Sequence, residues 1–260
     1  MFVVGSCMGS FLCCQARRMH LRASTKKKKN LGTRSVCIRC GYQLKWYDNI
    51  PVLSWLMLGG KCRKCGKKIG LAELISELGM GCAFAMLAST INITIAMPLE
   101  WGVFLATIVL TVILGGLAIY DGLYGELPVV GLIIAIVCGV IVLVLKEWML
   151  ISEVPFSIDR NIWGPLGAVA VLGGLYFVLY AASRGRWVGD GDWLLGVAAG
   201  LTLMSPWLGL VTLCLTNVLA CIAIAPVLKK TGKRRIYLGP FMVAAWVIVT
   251  TLADVLTSIV

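Results

Sequence analysis

From residue 69 onward the chain alternates long apolar runs with short polar breaks, and the runs are continuous rather than striped. Apolar stretches cover about 71 to 91, 101 to 120, 128 to 146, 162 to 183, 193 to 204, 207 to 228 and 238 to 258. Most approach or exceed the ~20 residues that an α-helix needs to cross a hydrocarbon core, so each predicts a transmembrane helix. The sixth run is short and ends near Pro206, which predicts a span that is tilted, broken or partly buried in the bundle. Residues 1 to 16 form one more apolar run, closed by Gln15, Ala16, Arg17 and Arg18. Its basic residues follow the apolar stretch instead of preceding it, so it predicts a first transmembrane helix rather than a signal peptide. It is short for a span, and the expectation is that a few native residues precede Met1. About eight transmembrane helices result.

Composition agrees with that reading. Hydrophobic residues make up 59% of the chain and charged residues 14%, against about 25% charged in a soluble domain. The chain is expected to be an all-α polytopic membrane protein. Three regions follow: a first helix over 1–16, a polar segment over 17–70, and a seven-helix membrane domain over 71–260.

The net charge of +12 is unevenly placed, with fifteen of the 24 Lys and Arg between Arg17 and Lys68. Placing 17–70 in the cytoplasm and alternating the spans leaves twenty-two basic residues inside and only Lys146 and Arg160 outside. The spans were drawn from hydropathy alone, so this asymmetry tests the orientation independently. The run Lys26 to Lys29 is read as a solvated tether with attraction to lipid headgroups, and no nucleic-acid partner is expected. His20 is the only histidine, which excludes a His-dependent triad or a multi-His metal site.

The polar segment holds Cys37-Ile-Arg-Cys40-Gly41 and Cys62-Arg-Lys-Cys65-Gly66, two CxxC pairs separated by 21 residues. The two-residue gap lets both sulfurs of a pair reach one tetrahedral ion, so Cys37, Cys40, Cys62 and Cys65 predict a structural zinc site. Redox dithiols or disulfides are the competing readings. A reducing cytoplasm argues against stable disulfides, and no βαβ pattern supports a thioredoxin-like motif. A segment this small would draw its fold from the metal. The aromatic-rich stretch from Gly41 to Trp55 between the pairs packs on the metal site or lies at headgroup level.

Two acids stand at the ends of apolar runs. Asp192, in Gly189-Asp190-Gly191-Asp192, precedes the sixth span, and Asp121 follows the third. Each has a local explanation, Asp192 as a helix N-cap and Asp121 as an Asp-Gly turn. The topology nevertheless brings both to one membrane face. Two carboxylates sharing a proton can activate water without metal or histidine, one serving as base and the other as acid. Peptide-bond hydrolysis at the membrane boundary is the chemistry implied. An ion or proton site built from Asp121 and Asp192 is the alternative, although the acids lie at a face rather than the midplane and no internal repeat is visible.

These residues resemble the type IV prepilin peptidases, polytopic aspartic proteases with a GxGD motif. Gly9-Ser10-Phe11-Leu12 resembles the family's opening motif. The two CxxC pairs flanking Leu44-Lys45-Trp46-Tyr47 and Ile50-Pro51-Val52-Leu53-Ser54-Trp55-Leu56 resemble its cytoplasmic loop. Asp121 with Leu127-Pro128, Gly189-x-Gly191-Asp192 and Gly239-Pro240-Phe241 resemble its membrane motifs. The resemblance implies that Asp121 and Asp192 are catalytic and that Asp190 occupies a variable position, which the residues alone do not separate. It implies a bacterial cytoplasmic-membrane enzyme, with the loop and both acids on the cytoplasmic side. Such an enzyme removes the basic leader from type IV prepilins or pseudopilins after a glycine. Retention of the tetracysteine loop implies a second activity, N-methylation of the new terminus with S-adenosylmethionine, and Gly60-Lys61 matches a segment tied to methylation. A peptidase without that activity is the other reading. Glu77 sits at the family's Glu position in the second span.

Departures from the pattern bear on substrate positioning: Cys13 replaces the usual Asn, Val129 the common Asp after Leu-Pro, and Leu194 the usual Lys. Asp48, Glu73, Glu77, Glu126 and Asp190 are the other acids expected on the leader's side. The sequence leaves the oligomeric state open.

Overall fold

The structure, a computed structural model, describes residues 1–24, 35–37, 39–90, 98–153, 163–186, 188–231 and 237–257. The lysine run at 26–29 and Arg160 lie outside the described residues. Among those described, helices stand at all eight expected positions: α1 Phe2–Ser24, α3 Leu71–Ala88, α4 Pro98–Tyr124, α5 Val129–Glu153, α6 Trp163–Ser183, α7 Asp192–Gly200, α8 Pro206–Thr231 and α9 Gly239–Thr251. A five-residue helix, α2 Leu53–Met57, lies in the loop region, and α10 Ala253–Thr257 closes the described chain. No extended strand is found among the described residues.

Five of the helices, α3, α4, α5, α6 and most of α8, are long and apolar enough to cross a membrane. The others fall short for local reasons. α1 runs eight residues past the expected end at Ala16, and that extension carries Arg17, Arg18, His20 and Arg22. Nothing in this stretch breaks a helix, so the backbone continues where the hydropathy stops. α7 has only 9 residues and α9 has 13.

The chain forms two compact units, Met1–Ala85 and Met86–Val260. In the first, α1 packs on α3 so closely that a side chain at Gly9 would meet the Ser76 carbonyl. An Arg17–Glu73 ion pair of 2.6 Å joins the same two helices.

In the second unit, α4 pairs extensively with α5, and α6 cradles the short α7. α6 changes pitch through a π-helical turn at Ala170–Gly174. There its backbone meets Gly196, where an added Cβ would stand 2.9 Å from the Leu172 carbonyl oxygen. Two further bonds fix the far end of α7: Lys146 Nζ donates to the Thr202 carbonyl at 2.8 Å, and Trp246 Nε1 donates to Thr202 Oγ1 at 2.8 Å. The short sixth span is thus held by protein on several sides. Because only backbone faces Gly196, Gly196→Ala should destabilise the bundle by roughly 1–3 kcal/mol. A lower Tm in detergent would register it.

Candidate functional site

Asp121 lies in the last turn of α4, which ends as Gly125 takes φ +70 and donates its N–H to the Asp121 carbonyl at 2.7 Å. The residue is therefore helical, not part of an Asp-Gly turn. Its side chain is buried, and Oδ2 accepts the N–H of Gly239 at 3.0 Å. Gly239 is the first residue of α9, followed by Pro240, so the carboxylate sits at a helix start where N–H groups lack intrahelical partners. An added Cβ at Gly239 would stand 2.8 Å from Asp121 Oδ2, so a larger residue there would displace the carboxylate.

Asp192 opens α7, and the N-cap is Gly191, which makes no side-chain cap bond. The Asp192 carboxylate turns back instead to accept the Gly189 N–H at 2.9 Å. Asp192 is half-buried, whereas Asp190 is exposed. Burial thus separates the two acids of the GxGD stretch. The two motifs meet at Gly191, where an added Cβ would lie 2.6 Å from the Leu127 Cβ. Asp121 and Asp192 lie within electrostatic reach of one another. Tyr176, a buried residue of α6 within electrostatic range of Asp192, has a hydroxyl that accepts from Asn217 Nδ2 at 3.3 Å. A tyrosine inside an apolar run gave no sequence signal. The Gly239 N–H was foreshadowed only by the Gly-Pro pair. Leu194 is half-buried beside Asp192, and nothing in its surroundings explains the departure from Lys.

The four loop cysteines come together, their sulfurs all within 4.8 Å of one another. A tetrahedral Zn–S bond of about 2.3 Å asks for sulfurs about 3.8 Å apart, so the set fits a zinc ion with little adjustment. The two pairs are built alike. Gly41 donates to the Cys37 carbonyl and Gly66 to the Cys62 carbonyl, each at 2.9 Å. Cys37 donates to the Tyr42 carbonyl at 2.8 Å and Cys62 to the Lys67 carbonyl at 2.9 Å. Both turns need a residue with φ near +65, and Gly41 at +68 and Gly66 at +65 supply it. The glycine after each CxxC is therefore part of the ligand geometry. Backbone N–H groups of Cys65 and Lys64 draw the Cys62 thiol down to about 7.

Asp48 ties the pairs together. It is buried, with Arg63 Nε at 2.7 Å, the Lys45 N–H at 3.2 Å and the Tyr42 hydroxyl at 3.4 Å. Arg63 also stands over the Tyr47 ring at 5.1 Å. Burial alone would raise the Asp48 carboxyl, but Arg63 and the Lys45 N–H outweigh it and hold the group below its ordinary value. Asp48→Asn should therefore raise the reactivity of the loop cysteines about tenfold. The difference from wild type is full above the ordinary carboxylate range and disappears as pH falls through the depressed Asp48 pKa. Thiol-reagent kinetics across that range measure it.

Gly60 takes φ +67 and is buried against Trp55, whose ring an added Cβ would meet at 2.7 Å. Lys61 is exposed and bridges to Lys68. This segment forms the entry to the second cysteine turn, and Gly60 is filled by tryptophan rather than open to a ligand. The indole Trp55 Nε1 beside it is buried without a hydrogen-bond partner, the one feature here that suits a bound group.

A helical membrane bundle with two acids in electrostatic range of one another and a tetrathiol loop is a defined class of protein, and comparison with known proteins narrows it. The profile of the Bacterial Peptidase A24 N-terminal domain matches residues 3–91. A type 4 prepilin-like proteins leader peptide-processing enzyme of Escherichia coli is 31% identical over 209 residues, 80% of this chain and 71% of the relative. A prepilin leader peptidase/N-methyltransferase of Aeromonas salmonicida is 28% identical over 82% of this chain and 70% of the relative. One from Myxococcus xanthus is 44% identical over 84 residues, 32% of this chain but only 24% of the relative's length. No solved structure matches the chain. The chain belongs to the type IV prepilin peptidase family.

Proposed function

We propose that this chain is a membrane aspartic endopeptidase of the bacterial inner membrane that removes the basic leader of type IV prepilins or pseudopilins after a glycine and then methylates the new N-terminus. The observation that carries the reading is the convergence of Asp121 and Asp192, from motifs 71 residues apart in sequence, on one end of the bundle. Both are held by backbone N–H groups, Gly239 on one and Gly189 on the other, so neither must be reoriented before reaction. With one proton between them, the ionised carboxylate takes a proton from water as it attacks the scissile carbonyl. The protonated carboxyl supports the developing oxyanion, and a proton then passes to the leaving amine. Both acids and the loop face the cytoplasm in this reading.

The leader is basic, and several acids expected to meet it are already engaged. Asp48 pairs with Arg63, Glu73 with Arg17, and Glu77 accepts the Val52 N–H at 2.7 Å. Glu126 and Asp190 stay exposed, on the two loops that touch at Leu127 and Gly191. They receive the leader's Lys or Arg. Glu126→Gln and Asp190→Asn should each raise KM about twofold to fivefold with kcat unchanged, an effect that salt diminishes.

Cys37, Cys40, Cys62 and Cys65 would hold zinc, which supplies fold and no chemistry here. S-adenosylmethionine would supply the methyl group; the segment around Gly60 and Lys61 offers Trp55 Nε1 as a buried donor without a partner. The test is purified chain in detergent with a synthetic prepilin-like peptide, with and without S-adenosylmethionine, read by mass spectrometry. Cleavage after glycine, with one methyl group added only when the donor is present, supports both activities. Cleavage alone leaves a peptidase, and an intact peptide favours the ion-site reading.

A further inference from the structure

The loop region between α1 and α3 turns its apolar side outward. In α2, Leu53 and Leu56 are 58% exposed and Met57 84%, at positions i, i+3 and i+4 that share one helical face. Trp46, in the helical turn Trp46–Asn49, is 79% exposed. Trp55, meanwhile, is turned inward against Gly60. Water would not favour this arrangement, so an apolar medium is expected to cover the face.

The position of the face along α3 is set by one hydrogen bond. The Val52 N–H, immediately before α2, donates to Glu77 Oε2, and Glu77 is buried six residues along α3. At 1.5 Å per residue, that anchor is about 9 Å beyond the first residue of a helix able to span a membrane. Val52 takes φ 63 and ψ −53, a costly conformation for a β-branched residue, and the Glu77 bond helps hold it there. α2 is therefore tied to the membrane helix and does not stand off in solvent. Between its first residue and that anchor α3 exposes Leu71 and Ile75. Lys45, Lys61, Lys64, Lys67 and Lys68 are all exposed in the same small region. Apolar side chains beside a basic surround match a bilayer surface with anionic headgroups. A basic peptide leader would be repelled by it.

We propose that the tetrathiol loop lies on the membrane, with Trp46, Leu53, Leu56 and Met57 inserted at the boundary between headgroups and acyl chains of the phospholipid bilayer. α2 is then an interfacial helix, and the metal site beside it is held at the membrane surface.

The test replaces Met57 or Leu56 of the full chain with photoreactive p-benzoylphenylalanine, at positions already exposed. Each variant is reconstituted in phosphatidylcholine vesicles with or without phosphatidylglycerol, irradiated and read by mass spectrometry. Unchanged reactivity of the loop cysteines certifies that the loop is folded, and if one variant fails that check the other decides. A mass gain of one phospholipid on the peptide carrying the probe, in either lipid mixture, supports the proposal; adducts confined to protein, or none, overturn it. Loss of the lipid adduct at Met57 on adding Leu53→Glu with cysteine reactivity intact supports insertion through this face, and persistence overturns it.

Discussion

Asp121→Asn and Asp192→Asn each reduce cleavage of a prepilin-like peptide by on the order of 10²–10⁴-fold while Tm stays close to wild type. The two halves of this expectation come from the same hydrogen bonds. Asp121 accepts the Gly239 N–H, and Asp192 accepts the Gly189 N–H. An asparagine carbonyl can accept either bond, so the helix starts at Gly239 and Asp192 keep their partners. The amide cannot take a proton from water or share one across the pair. Catalysis is lost, and the fold is kept. The double variant should be little slower than either single one, because the carboxylates work as a unit. Asp190→Asn serves as the contrast: exposed where Asp192 is half-buried, it changes KM and leaves kcat in place. Mass spectrometry of the product and thermal melts in one detergent decide it. Undiminished cleavage by both single variants would remove the acid pair from the mechanism.

What the sequence made legible follows from the range of the forces involved. Transfer of apolar side chains out of water is local and additive, so every span from Leu71 to Thr251 was marked by hydropathy. Helix ends were less visible. α1 continues to Ser24 because backbone hydrogen bonding does not stop where apolar residues do. The cysteine turns were legible down to their glycines, since ligand spacing and a positive φ are both written in CxxCG.

Contacts across long separations were not legible. Neither the 118-residue bond from Gly239 to Asp121 nor the Tyr176 to Asn217 contact within electrostatic range of Asp192 has a local signal. The two aspartates of Gly189-Asp190-Gly191-Asp192 differ only after α7 forms and turns one of them inward. For the stretch from Gly41 to Trp55 the sequence left two placements open, on the metal site or at headgroup level; Trp55 takes an inward place against Gly60, while Leu53, Leu56 and Met57 turn outward.

The tetrathiol loop gives the other large effect. Cys62→Ser, or removal of metal by a strong chelator, should unfold the loop around 37–68 with only a small loss of total helicity. The reason is in what holds this segment. Among its described residues, regular structure amounts to a helical turn at Trp46–Asn49, the five residues of α2 and two isolated bridges, Val36 with Gln43 and Lys61 with Lys68. Each bridge brackets one cysteine turn, and the residues they bring together are polar or exposed. Such a segment buries too little apolar surface to repay its ordering entropy. Four thiolates on one zinc ion contribute about 10–16 kcal/mol in small peptides, enough to make the metal the core. Losing one ligand breaks both turns at once, since the sulfurs of the two pairs share one site. The measurements are metal content by mass, far-UV circular dichroism, and thiol-reagent kinetics on the loop. One zinc per wild-type chain and none in Cys62→Ser, with rapid thiol reaction and near-constant helicity, is the expected set. Slow, unchanged thiol kinetics in the metal-free chain would instead mean that Asp48, Arg63 and their neighbours suffice to hold the loop closed.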